Sequence, residues 1–549
     1  MAKNDNIRDL LVDVADAIRE KKGTTDLINP QNFADEIASI KGVGADEKPT
    51  YGTIEWTGHA DEEGLKSIGW DDDDIAYFQQ YGVNWNEEDD ELHKVSAANK
   101  ALYGVLTEKN IATYKADIVY LPKIDTSART SFANYFNNFY WLEGVPHLDT
   151  SNATSVSSMF GACSALLAVP HMDLRKVTTT SKMFTGCRML RYIPPLETPK
   201  ITDASSMFQN CSLLQEVPLF DTSNVKSMAS MFSGCTLLKD IPAFDTRSAT
   251  SMASMLYNCR NLTTIPHLST QSVTTMASMF YNCYSLKEVP QLNTQNVTTM
   301  ASMFYGCVSL KSIPQFDTQN VTNMSSMFYN CYKLQRVPYM DTQNVTTMGS
   351  MFINCSCLED VPKFNTLNVT VFTSFLAGCV NLIEAPSLDT SKATAMDAMF
   401  NGCNQLMYVS DLNTNSATTV KNMFNSCFSL QRTPKVDTSS ATNIDAMFTT
   451  CTSLVVIPEV DMINVKTVSS APFSKCYALK DVKIKNMKVS TTFANSYFLS
   501  KESLLYMINN EASESAITIT LNSTVYNEWA EDVDVIAALA NHPNVSLVK

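Results

Sequence analysis

Fourteen of the 15 cysteines form one series: Cys163 to Cys451 step by 24 residues without a miss, and Cys476 follows after one inserted residue. Such a period is the mark of a repeat array, in which one short unit cannot bury its apolar face and must stack on its neighbours. Prolines keep the same beat from Pro122, Pro146 and Pro170 to Pro458, broken only at Ser410. Phe139 stands in the cysteine slot of an earlier rung. The array is predicted to run from about Ile118 to about Lys485, roughly 15 rungs. At 549 residues the chain is too long for one compact core, which agrees with an elongated array.

One rung can be read physically. In TMASMFYNC, Met276, Met279, Phe280 and Cys283 fall at i, i+3, i+4 and i+7, one face of a short helix. Leu286 and Val289 precede Pro290, which predicts a short strand that ends where proline removes the N–H. Asp or Asn followed by Thr then signals a turn and a cap. The fold class expected is an α/β repeat solenoid, a short strand plus a short helix per rung, with parallel stacking at about 4.8 Å. The cysteines read as a ladder of small core residues. Identical rungs point their side chains the same way, which suits disulfide bridging poorly. Neither CxxC spacing nor a Cys/His cluster occurs, so no metal and no cofactor is expected.

The pattern MFxxCxxLxxVPxxDTxxVTxM resembles the BspA-like leucine-rich repeats, in the variant common in surface proteins of mycoplasmas and gut bacteria. The resemblance covers the whole array. It implies a leucine-rich-repeat solenoid used for binding, often for attachment at a cell surface.

The ends of the chain depart from the beat. Residues 1–45 read as a helical hairpin: Ile7, Leu10, Leu11, Val14 and Ile18 form one stripe ended by Gly23, and a second helix starts at Pro30 and stops at Gly42. The stretch AIREKKGTTDLINPQNFADEIASIKG is similar to N-terminal segments of phage tail and fibre proteins. Residues 46–115 read as a small adaptor domain. Its acidic runs, WDDDD from Trp70 and NEEDDE from Asn86, lack the glycine and ligand spacing of a calcium loop and are expected at helix starts. The solenoid is assigned to residues 116–487. Residues 488–549 read as a C-terminal α/β cap: helix, alternating strand AITITLN, helix, final strand VSLVK.

The net charge of −15 argues against nucleic-acid binding, and no apolar run is long enough for membrane insertion as a helix. The N-terminal stretch MAKNDNIRDLLVDVADAIREKKG has no apolar core of a secretory signal, which predicts folding in a cytoplasm. No catalytic residues are assigned. Three of the six histidines (His147, His171, His267) follow the rung proline and are too dispersed for a triad. The acidic ladder (Asp221, Asp245, Asp317, Asp341, Asp389) recurs in nearly every rung, which suits capping better than catalysis. The NVT triplets match glycosylation sequons but are letters of the repeat.

Candidate binding residues are the exposed letters that vary. Helical geometry places Tyr281 about 150° from the buried face, with Tyr257, Tyr305 and Tyr329 in the same slot, a row suited to sugar rings or a protein partner. A second set lies along the strand side: Arg191 and Tyr192, Gln335 and Arg336, Met407 and Tyr408.

These features lead to the expectation of a phage tail fibre or receptor-binding protein in the virion, not an enzyme. The N-terminal region would attach to other tail proteins, and the solenoid to bacterial surface polysaccharide or a surface protein. Such fibres are often trimers, so a homo-oligomer is expected. The alternatives are a BspA-like bacterial adhesin, a structural tail component, or a polysaccharide depolymerase.

Overall fold

The computed structural model describes residues 65–66, 69–81, 115, 118–121 and 123–549. The expected N-terminal hairpin, the stretch similar to phage tail segments and the NEEDDE run lie outside the described residues.

The rungs stack as the period predicts, but their local structure differs from expectation. The segment around Phe280 is not a helix. Met279, Tyr281 and Cys283 each donate their N–H to the carbonyl three residues back, at 3.1 to 3.2 Å. The alternate residues Ser278, Phe280 and Asn282 donate instead to Ala301, Met303 and Tyr305 of the next rung, at 2.9, 2.9 and 2.6 Å. An α-helix would use every donor internally and leave none for the neighbouring rung. The result is a run of tight turns, with Ser278 (φ 55°) and Asn282 (φ 56°) in left-handed backbone. Small residues and Asn tolerate that conformation best. Gly306 takes the Asn282 position one rung on, at φ 71°; a Cβ there would lie 2.2 Å from the Asn282 side-chain oxygen. Met276, Met279, Phe280 and Cys283 are nonetheless all fully buried, so the face read from the spacing is the core face.

The expected strand is also irregular in most rungs. Most parallel bridges recur instead at the start of the turn segment, at Ser227, Ser251, Thr275, Thr299 and their equivalents, while the strand slot holds isolated bridges such as Glu384 with Tyr408 and Arg432 with Val456. The prolines stack in register, so the same donor is missing at one level through the array. Among the described rungs of the array, a regular pair forms between β1 (Val456–Asp461) and β2 (Asp481–Lys485), with a register shift between Ile457 and Val460 around Pro458.

The core is a set of columns. Phe160, Phe184, Phe208 and Phe232 stack at 5.6 to 5.7 Å between ring centroids, within 6° of parallel. Each series thiol donates to a carbonyl of the preceding rung, as Cys307 does to Phe280 at 3.1 Å. Thr294 donates to the Asp317 carbonyl at 2.7 Å, and other rungs repeat the bond. All 15 cysteines are free, and only Cys357 is not fully buried.

Both ends of the stack are covered. Helix α1 (Asp72–Tyr81) begins with three acidic residues, as expected of WDDDD. Asp71 caps it by accepting the Asp74 N–H at 2.9 Å. Asp74 in turn accepts the His147 N–H at 2.7 Å, and Trp70 donates its indole N–H to the Leu121 carbonyl at 2.9 Å. Trp70, Phe78 and Tyr120 meet edge to face over Gly144, where a Cβ would touch all three rings.

At the other end, strands β3 (Thr491–Phe493), β4 (Ile517–Leu521) and β5 (Val545–Val548) form a parallel sheet. Helices α2 (Lys501–Asn509), α3 (Ser523–Trp529) and α4 (Val533–Asn541) accompany it. Helix α3 was not anticipated from the sequence, where STVYNEW follows the strand without apolar periodicity. The core columns continue past the last cysteine. Phe493 stacks on Phe473 at 5.0 Å, and Ser496 takes the cysteine slot, fully buried and with no partner for its hydroxyl.

This packing makes three outcomes measurable. A buried hydroxyl without a partner carries its full desolvation cost, so Ser496→Ala should stabilise the protein by about 1 kcal/mol, read as a raised urea midpoint. Burial pushes the Cys163, Cys403 and Cys476 thiols from 9.0 up to about 12. The unfolded chain loses those protons near pH 9 while the fold keeps them, so this stability is complete below about pH 9. It should fall as pH rises from 9 toward 12, by about 1.4 kcal/mol per thiol per pH unit. Titration with a thiol reagent at pH 8 should modify only Cys357 in the native state and all 15 cysteines in denaturant.

Candidate binding surfaces

The tyrosine row is assembled by the stacking. Tyr257, Tyr281, Tyr305 and Tyr329 follow one another at 4.4, 4.2 and 4.4 Å between centroids, within 13° of parallel. Helical geometry predicted rings standing outward, whereas the turn geometry leaves them half-buried with most ring faces covered by each other. Burial, and next the stacked Tyr281, push the Tyr305 phenol well above its ordinary range. The row presents edges and hydroxyls rather than open faces. Beside it stand Tyr284 and Tyr332, with the Arg260 guanidinium 5.5 Å from the Tyr284 ring centre.

The strand-side residues are dispersed, and all are exposed except Tyr192, which is half-buried. Arg191 and Tyr192 lie six rungs before Gln335 and Arg336, and Met407 and Tyr408 lie three rungs further. At about 4.8 Å per rung, those steps span roughly 29 and 14 Å. Arg336 pairs with Glu359 at 3.6 Å, a surface contact of little energetic weight. Tyr408 is 62 % exposed and Met407 38 %. The structure therefore brings the four tyrosines together and keeps the three pairs apart.

The acidic ladder is tied into local turns. Asp221 accepts the Ser223 N–H at 2.9 Å, Asp245 the Arg247 N–H at 3.2 Å and Asp389 the Ser391 N–H at 2.9 Å. Asn293 does the same with Gln295 at 3.2 Å, which explains why Asp and Asn alternate in this slot. Among the described residues, no three His, Cys, Asp or Glu side chains gather as a set able to hold a metal ion, and no helix is long and apolar enough to cross a membrane.

Tyr339 was passed over in the sequence reading, although it is 58 % exposed. It stands directly after the rung proline, in a slot that elsewhere holds His267, Gln291 and Gln315. The available signal was a lone aromatic in a column that holds no other aromatic residue.

No curated protein is similar to the chain by sequence. Among solved structures, the plant peptide hormone receptor RGFR1 in complex with RGF2 is 12% identical, with a TM-score of 0.22, over 70% of this chain and 73% of that one. The T. pallidum leucine-rich-repeat protein is 16% identical, with a TM-score of 0.19, over 39% of this chain and 76% of that one. Superpositions at those scores carry no argument, and the fold rests on the rungs themselves. The family described as "Mycoplasma protein of unknown function, DUF285" matches residues 108–219, 191–289, 261–361, 284–384, 356–459 and 379–487, more than half of the chain. The protein is a repeat protein with a 24-residue period, and it belongs to the DUF285 family.

Proposed function

We propose that the protein is an attachment protein: a phage tail fibre or receptor-binding subunit whose solenoid engages the host bacterial surface. The observation that carries this reading is the division between constant and variable letters. The buried positions hold nearly the same Met, Phe, Cys and Leu in rung after rung, while the neighbouring exposed positions change. A rigid stack with a varied surface suits recognition of an extended partner, as repeat solenoids generally do. The similarity of residues 17–42 to phage tail segments supports a virion location, with that region joined to other tail proteins and to further copies of the chain. No catalytic role is proposed, because the recurring carboxylates each serve a turn.

A bacterial adhesin is the second reading. The family description, which names Mycoplasma proteins, favours a cell-borne role.

Flow cytometry of the labelled full chain on a panel of gut bacteria tests the attachment reading. Strain-restricted binding that disappears when surface polysaccharide is stripped is expected; binding to no strain would sink it. Sedimentation should give a multiple of 60.8 kDa if the chain oligomerises. A monomer at all concentrations would count against the fibre reading.

A further inference from the structure

A groove of about 740 Å³ runs along the corners of four stacked rungs, over residues 267–271, 291–295 and 315–319 to Tyr339 and Asp341. A second groove, of about 510 Å³, carries on from Tyr339 over residues 363–366 and 387–389. Tyr339 lines both, so the two share one aromatic residue between them.

The floor is stiff. Leu292 and Phe316 are buried, and the Thr270, Thr294 and Thr318 hydroxyls donate to the next rung's carbonyls, each at 2.7 Å. One wall is built from Gln291 and Gln315. The Gln291 amide donates to the Gln315 carbonyl at 2.6 Å, and the Gln315 amide to the Tyr339 carbonyl. Both side chains are held in place, and their amide oxygens accept nothing from the described residues. The opposite side is a row of exposed amides at Gln271, Gln295 and Gln319.

The charge pattern narrows the ligand. No Lys or Arg lines the larger groove, and its two acids, Asp317 and Asp341, oppose an anion. The amide row continues to Gln343 beyond the groove and is local: one rung before Gln271 the slot holds Arg247, ion-paired with Asp245 at 2.6 Å, and one rung after Gln343 it holds Leu367. An amide both donates and accepts hydrogen bonds, which matches a hydroxyl group. Tyr339 adds an exposed ring for an apolar sugar face and a phenol for its rim. The threonine floor and the Gln271, Gln295 and Gln319 row repeat unchanged from rung to rung, which suits a ligand made of repeating units.

We infer that this groove binds an uncharged polysaccharide, laid along the stack axis across residues 267–341 with one sugar packed on Tyr339. The inference deepens the attachment reading by naming its ligand class, and it moves the site away from the tyrosine row and the strand side.

The test measures binding of the full chain to neutral polysaccharides (dextran, mannan, galactan) and to acidic ones (hyaluronate, polysialic acid), beside the whole-cell assay. Tyr339→Ala and Gln319→Ala alter exposed side chains, and circular dichroism checks that both fold. The expected result is binding to at least one neutral polymer, weakened about tenfold or more by each variant and unchanged by Phe498→Ala, which removes an exposed ring outside the groove. Binding only to acidic polymers, to none, or equally by all variants overturns the inference. Cell binding that survives Tyr339→Ala but is lost in Tyr408→Ala would overturn the groove while leaving attachment standing. Binding to no polymer and no strain would remove both.

Discussion

The structure depends on how the backbone donors are divided in the turn segment of each rung. Every second N–H closes a turn within the rung, and the others bond to the next rung. An unsatisfied buried N–H is costly, so a rung separated from its neighbour would leave those donors without partners. Hydrophobic columns act in the same direction. A phenylalanine that stacks at 5.7 Å on its equivalent, as Phe184 does on Phe208, is buried only because the next rung is there. Stability is therefore a property of adjacent pairs, which explains why both ends of the array are covered.

Stacking also turns single letters into continuous surfaces. A tyrosine at one slot in four consecutive rungs becomes a column at about van der Waals contact, with Tyr281 and Tyr305 4.2 Å apart. Glutamines at equivalent slots become a wall whose side chains hold one another's backbone. In the facing row of Gln271, Gln295 and Gln319, the charge at Arg247 ends the run of amides and finds its partner within its own turn. The exposed face is thus patterned rung by rung while the core stays uniform.

Much of this was legible in the order of the residues. The 24-residue cysteine period placed the array and its core, and Met276, Met279, Phe280 and Cys283 are buried as their spacing implied. The turn role of the Asp and Asn ladder was readable from the Asp-Thr pair. The secondary structure was not. A spacing of i, i+3, i+4 and i+7 is shared by a helix and by this run of turns, because both bring those positions to one side. Nothing local reveals that alternate donors leave the rung. The same ambiguity misplaced the tyrosines, whose ring faces cover each other instead of facing outward. The groove was hidden for another reason: Gln271, Gln295 and Gln319 carry no chemical mark singly, and only their alignment opposite Gln291 and Gln315 makes a site.

Composition and period alone determined that the chain stacks, which residues are buried, and that fourteen thiols sit in a core column. Those properties follow from which letters repeat. Tertiary structure decided what each rung looks like and what its surface offers. Turn geometry, the missing proline donors and the registration of one exposed slot over the next all depend on hydrogen bonds between rungs. Such bonds join residues about 24 apart, beyond the reach of any local pattern.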